Sequence, residues 1–175
     1  PRELQEELEA TKLYDPVVGT TSAATHACMV EIDSETFQVK ILRYVVAEDC
    51  GRIINPMIVD GQVHGGVAQG IGAALYEEII YNEDGQLVTG SLADYLVPTA
   101  MEIPHMEVHH VEGESPTTLG GFRGMGEGGT IGAPAAIANA LSDALSPLGI
   151  GITELPATPD RIFRLVMAAR KGGAV

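Results

Sequence analysis

Apolar and polar residues alternate twice near the start of the chain, in THACMVEI over 25–32 and in FQVKILRYVVA over 37–47, with Asp33-Ser34 between them. A period of two bounded by turn residues predicts a β-hairpin. Lys40 and Arg43 interrupt the second run, so one face of that strand is expected to meet solvent or another element. The period then changes. Asn55-Pro56 offers a cap and a first helical residue, and PMIVDGQVHGGVAQGIGAALYEE predicts a helix over 56–78. Five glycines lie inside it, at 61, 65, 66, 70 and 72. Each costs about 1 kcal/mol against alanine in a helix interior, so packing against close backbone or a bulky ligand has to compensate.

Further along, residues 79–81 and 87–90 flank the turn Asn82-Glu83-Asp84-Gly85 and predict a second hairpin. Residues 91–104 hold two prolines and read as a connection, and 102–112 alternates around Met106, Val108 and Val111 as a strand does. A glycine-rich stretch, GGFRGMGEGG over 120–129, runs into a helix over 130–145 that is apolar nearly all round and is therefore expected to be central and buried. Residues 146–157 read as a loop with a short strand-like piece. Thr158-Pro159-Asp160 then opens a last helix to about 171, amphipathic through Ile162, Leu165, Val166 and Ala169. At the other end, residues 2–12 suit a short surface helix that Asp15-Pro16 breaks, so 1–16 read as a linker or lead-in and 17–175 as the folded unit. Strands and helices mix without βαβ regularity, which favours an α+β fold.

Composition narrows the function. With 45% hydrophobic and 19% charged residues, the chain of 175 residues is globular rather than disordered. Its net charge of -14, with ten Lys and Arg in all, argues against nucleic acid and anionic membranes as partners. Asp60, Gln62, His64 and Gln69 interrupt the glycine-rich helix too often for a lipid-facing span, so no membrane span is expected. Cys28 and Cys50 are too few for a four-thiolate cluster and read as free thiols of a cytoplasmic protein.

Three places invite chemistry. The glycines around Glu127 let backbone N–H groups approach a ligand at the head of a helix, which suits an anionic group, although the spacing matches neither a P-loop nor a dinucleotide fingerprint. Glu127 itself is either a capping carboxylate or a base in a dry pocket. Gln62 and Gln69, seven apart, share a helix face and either satisfy backbone groups or hold a polar ligand. His105, His109 and His110 lie close in sequence, but on a strand 109 and 110 point to opposite faces, and no metal ligand is expected among them.

Together, DCGRIINP (49–56), GQVHGGVAQGIGAALYEE (61–78), DYLVPTAMEIP (94–104), GFRGMGEGG (121–129), AAIANALSDAL (135–145) and LPATPDRI (155–162) resemble the C-terminal part of the molybdenum-binding large subunit of the xanthine oxidase family. The likeness is to its bacterial branch of carbon monoxide dehydrogenases, aldehyde oxidoreductases and N-heterocycle hydroxylases. The resemblance implies a molybdenum-dependent oxidoreductase that hydroxylates an aldehyde, an N-heterocycle or a similar small substrate, or oxidises carbon monoxide, with water as the oxygen source. Glu127 matches the family's base beside the molybdenum. Gln62 matches a glutamine that hydrogen-bonds the pterin, and the backbone of Arg123, Gly124, Met125 and Gly126 matches the loop against the metal centre. Lysine is frequent in the family where this chain has Arg123. The implied cofactor is molybdenum with molybdopterin cytosine dinucleotide, with FAD and [2Fe-2S] in partner chains. The family's subunit is several times longer, so residues 17–175 are expected to be the C-terminal part of a molybdopterin-binding domain. The remainder of the molybdenum subunit and the flavin and iron-sulfur subunits are the expected partners. A non-catalytic cofactor-binding or assembly domain of the same fold is the alternative.

Overall fold

The computed structural model describes residues 10–13, 15 and 18–172. The first hairpin forms as its alternation predicts. Strands β1 (Ala23–Ile32) and β2 (Val39–Asp49) pair antiparallel, with a register shift between Met29 and Val30. Asp33 organises the turn, its Oδ1 accepting the N–H groups of Glu35 and Thr36. A third strand, β3 (Met106–His110), adds parallel to β2, giving the sheet order β1-β2-β3. Parallel neighbours need a crossover, and helix α1 (Pro56–Leu75) lies within it.

Pro56 opens α1 behind an extended Asn55 at φ -138°, but the Asn55 side chain makes no capping bond. The helix ends at Leu75 rather than near 78, because the N–H groups of Tyr76 and Glu77 both turn back to the carbonyl of Gly72. The helix expected over 130–145 is two pieces, α2 (Gly128–Ile131) and α3 (Ala133–Leu145). Gly132 lies between them and Pro134, which lacks an N–H, sits in the first turn of α3. Nor is this helix buried all round. Ala133, Ile137, Leu141 and Leu145 form one buried stripe, four residues apart, while Ile131 is 73% exposed. The last helix, α4 (Pro159–Gly172), starts as predicted, with Thr158 Oγ1 accepting the Arg161 N–H, and it buries Ile162 and Val166.

Two predicted features do not form as strands. The second hairpin is reduced to one isolated bridge, Tyr81 to Leu87, around a turn held by Asn82. Ile79, Ile80 and Val88 beside it are exposed, so its apolar side chains have no described surface to pack against and extend it. The strand-like piece in 146–157 is a 3-10 turn (Ser146–Leu148) followed by a loop, pinned where Ser142 Oγ accepts the Ile152 N–H. The lead-in helix expected over 2–12 falls largely outside the described residues. Among the described residues no helix is long and apolar enough to cross a membrane.

One core joins the layers. Tyr44 and Val46 of β2 meet Val63, Val67, Ile71 and Ala74 of α1, with the α3 stripe and Ile162 completing it. The glycines of α1 divide into two groups. A methyl group on Gly66 would lie 2.8 Å from the main chain of Gly129 and Thr130, and one on Gly70 would lie 2.5 Å from Ala133 Cβ. At Gly61 and Gly65 the same methyl would have nothing within 4 Å. The C-terminal half of α1 therefore uses its glycines for close helix packing, and its N-terminal half leaves open space.

Gly66→Ala is expected to force α1 and α2 apart and to destabilise the chain by about 1–3 kcal/mol, the usual range for overpacking. Gly61→Ala meets no such obstacle and is expected to stabilise by about 0.5–1 kcal/mol through helix propensity. Denaturant unfolding of the two variants measures the difference.

Candidate functional site

The glycine-rich stretch is anchored at its base by the end of β2. Gly51 bridges Phe122, the Arg52 N–H reaches the Gly121 carbonyl at 3.1 Å, and the Arg123 N–H reaches the Cys50 carbonyl at 2.9 Å. Gly51 and Gly121 both take left-handed conformations, φ 71° and 76°, which side chains rarely adopt. The Arg123 side chain turns into this scaffold. Its Nε donates to the Gly113 carbonyl at 2.9 Å and its Nη1 to the Thr21 carbonyl at 3.1 Å, with Asp49 Oδ1 3.9 Å from Nε. The N–H groups of Gly51 and Gly113 and the Arg123 guanidinium hold Asp49 below the ordinary carboxylate range.

Above that base, two side chains grip the loop by its carbonyls. Gln62, from the open half of α1, donates through Nε2 to the Gly126 carbonyl at 2.9 Å. His26, from β1, lies 3.2 Å from the Gly128 carbonyl through Nε2 and 2.9 Å from the Tyr44 hydroxyl through Nδ1. Since a carbonyl only accepts, Nε2 carries the proton. Burial lowers the His26 pKa against the opposing pull of the Gly128 carbonyl, so the neutral ring accepts the Tyr44 O–H at Nδ1.

Glu127 occupies the cap position of α2, at φ -110° and ψ -1°, yet its side chain makes no capping bond. Its backbone carbonyl takes the N–H groups of Thr130 and Ile131, while the carboxylate is exposed. It lines a hollow of about 440 Å³ with Gly124, Met125, Gly126 and Gly128 on one side and Thr20, Thr21 and Ser22 on the other. Nothing lies within 4 Å of where a side chain on Gly126 would begin, so the loop leaves room above itself. Of the expected site residues, Gln62, Gly124, Met125, Gly126 and Glu127 thus meet in one place. Arg123 supports the loop from behind.

One side chain behind this loop was not anticipated. Tyr44, Val46 and Glu48 alternate on the core face of β2, and the third is a carboxylate, 1% exposed, with neither oxygen hydrogen-bonded. Burial pushes the Glu48 carboxyl above its ordinary range; the His110 charge opposes that shift and Asp49 adds to it. The signal was present in the sequence, as an acid in phase with the buried stripe. The histidines behave as their strand positions require: His110 Nε2 pairs with Asp60 Oδ1 at 2.7 Å, while His105 and His109 are exposed. Among the described residues, no three His, Cys, Asp or Glu side chains are placed to hold a metal ion. Cys28 and Cys50 are free thiols, and burial raises both, Cys28 to about 11.

Glycine backbone, three hydroxyl-bearing residues and one uncommitted acid define a cradle for a polar cofactor on an α+β scaffold. The chain belongs to the molybdopterin cofactor-binding domain family, whose profile matches residues 3–104 and so takes in the hairpin, α1 and Gln62. It is 48% identical over 157 residues to the nicotine 6-hydroxylase large subunit of Paenarthrobacter nicotinovorans, covering 90% of this chain and 19% of that subunit. It is 35% identical over 164 residues to the carbon monoxide dehydrogenase large chain of Hydrogenophaga pseudoflava, covering 94% of this chain and 20% of the other. Among solved structures, quinoline 2-oxidoreductase from Pseudomonas putida 86 superposes with a TM-score of 0.79 at 49% identity, over 81% of this chain and 18% of that one. The chain therefore spans about a fifth of the length of the relatives it matches. The hollow fits a molybdopterin edge chemically: hydroxyls can donate to its polar atoms, and the open space above Gly126 admits close approach to the backbone.

Gln62→Ala removes one bond to the loop and is expected to cost about 0.5–1.5 kcal/mol. Gln62→Glu places an acceptor against the Gly126 carbonyl and is expected to cost more. Hydrogen exchange of the 124–128 amides should quicken in the same order. A carboxyl that keeps its proton more readily folded than unfolded binds more protons in the native state, so stability falls as pH rises above the ordinary carboxylate range. Glu48→Gln cannot ionise. Its advantage in thermal midpoint over the parent is expected to grow as pH rises above the ordinary carboxylate range of about 4, because the Glu48 carboxyl is shifted upward.

Proposed function

We propose that residues 17–175 form the C-terminal part of the molybdopterin-binding domain of a molybdenum hydroxylase, and that Glu127 is its base. The observation that carries this reading is the Gln62–Gly126 hydrogen bond at 2.9 Å. It ties a motif 64 residues away to the loop that lines the hollow, next to a carboxylate that makes no capping bond. The cofactor is molybdenum with molybdopterin cytosine dinucleotide, and when bound it supplies the metal centre that takes two electrons from the substrate, water being the oxygen source.

The residues of this chain divide the remaining work. Gln62 fixes the Gly126 carbonyl and keeps its own amide oxygen for the pterin. The 124–126 backbone forms the floor of the hollow, Arg123 holding it from below. Glu127 accepts a proton on its carboxylate at the open edge, where no other hydrogen bond competes for it. The proposed substrate is a small N-heterocycle or a related aldehyde. Relatives named for nicotine and quinoline, 48% and 49% identical, support the heterocycle over carbon monoxide, for which the named relative is 35% identical.

The enclosing walls are assigned to the remainder of the molybdenum subunit, and electrons leave through FAD and [2Fe-2S] subunits of a cytoplasmic assembly. Ile54, Met57 and Ile58 at the open start of α1 are 77%, 76% and 63% exposed, which supports a covered face there. In the purified assembly, Glu127→Gln is expected to keep its molybdenum content while substrate oxidation falls by about 10²-fold or more. Unchanged turnover, or an assembly without molybdenum, overturns the reading.

A further inference from the structure

Glu48 is the deepest charge-bearing group near the site, and nothing in the proposed reaction uses it. Its two oxygens face the loop: a methyl group on Gly128 would lie 2.7 Å from Oε1 and 2.8 Å from Oε2, and 2.9 Å from Met125 Sδ. Glu127 is the next residue. The carboxyl therefore lies against the backbone of Gly128, a residue that lines the hollow with Glu127. It is 1% exposed and has no hydrogen-bond partner among the described residues.

A second orphan lies beside it. Glu48 and His110 are register partners in the parallel β2–β3 pair, so their side chains leave the same face of the sheet. His110 Nδ1 is likewise buried and unpartnered, while its Nε2 pairs with Asp60 Oδ1 at 2.7 Å. Buried polar atoms are rarely left unsatisfied, and two unpartnered ones on the same face of adjacent strands have room to be satisfied together by one bridging water. Asp60, half exposed on α1, connects the pair to solvent two residues before Gln62.

We propose that Glu48 is a positioning acid of this site, joined with His110 and Asp60 in a proton-sharing chain behind the loop that carries Glu127. One proton is held between the Glu48 carboxyl and His110 Nδ1, and a second on Nε2 is donated to Asp60. Passing the first proton to Nδ1 leaves a carboxylate and an imidazolium, so the proton count of the chain does not change. With the proton on Glu48, the surface under Gly128 is neutral. When the chain loses that proton outright, a negative charge appears one loop thickness from Glu127. The other titratable groups near Glu48 are Asp49 on its own strand and Cys50 just beyond it, and His26 grips the Gly128 carbonyl from β1. Asp49 is committed to Gly51, Gly113 and Arg123, and His26 to Gly128 and Tyr44, which leaves His110 as the proton's other holder.

The inference rests on the reading of Glu127 as base only for its effect on turnover. The test uses the full-length assembled enzyme, compared with Glu48→Gln and Asp60→Asn. Infrared spectra at neutral pH should show a protonated-carboxyl band that moves in heavy water, vanishes in Glu48→Gln and shifts in Asp60→Asn. In the pH profile of turnover, Glu48→Gln should move the alkaline limb to higher pH at unchanged molybdenum content. Coincident spectra of parent and both variants overturn the proposal whatever Glu127→Gln does, and so does an alkaline limb that stays in place. If Glu48→Gln does not assemble, the Asp60→Asn band decides, because that residue is at the exposed end: a shift supports the chain and an unmoved band refutes it. Loss of turnover in Glu127→Gln with no Glu48 band separates the two readings.

Discussion

The approach of α1 to α2 at Gly66 and Gly129 brings two backbones so close that a methyl group on either would meet main-chain atoms of the other helix. Everything at the candidate site is downstream of that contact. Thr130 Oγ1 donates to the Gly66 carbonyl at 3.1 Å and locks the pair. Because the helices touch there, Gln62, one turn earlier on α1, reaches the Gly126 carbonyl, two residues before α2 begins. Glycine, the poorest helix former apart from proline, is placed where its missing side chain is worth more than its propensity.

Behind the loop the arrangement follows a different logic. The apolar stripe of β2 fills the centre of the molecule with Tyr44 and Val46 and then ends in Glu48 under Gly128. Core packing alone would favour a leucine or valine there. A local rule broken at one position, under a loop that α1 and β1 both hold, is characteristic of sites where stability is given up for function. Gln62 and His26 grip the loop by two carbonyls, at Gly126 and Gly128, and the Glu48 carboxyl packs against Gly128 beside them.

Much of this was legible in the residues. The first hairpin, α1, β3 and the last helix follow from periodicity and caps, since each has a strong local pattern and a partner surface. The second hairpin failed because a good turn sequence whose apolar side chains have no described surface to pack against makes only one bridge. The helix over 130–145 divided because Pro134 outweighs a continuous run of apolar residues. At the candidate site, Gln62 and Glu127 stood out through helix spacing and the glycine-rich loop, each with two readings left open, and the family resemblance chose between them. The scaffold roles of Arg123 and His26 were not, because both depend on carbonyls of residues remote in sequence. Nor was the capping role of Glu127 decidable locally; the structure leaves its side chain without a capping bond.

The contacts that shape the hollow all join distant parts of the chain. Gln62 and Gly126 are 64 residues apart, as are Gly66 and Thr130, and His26 and Gly128 are 102 apart. Closing such loops is entropically expensive and slow compared with forming a helix or a hairpin. During synthesis the first hairpin and α1 emerge well before the loop they will hold. The hollow is therefore among the later parts of this fold to close, after the hairpin and α1 that hold it. It exists only once residues 120–131 have been made and docked on the scaffold that precedes them.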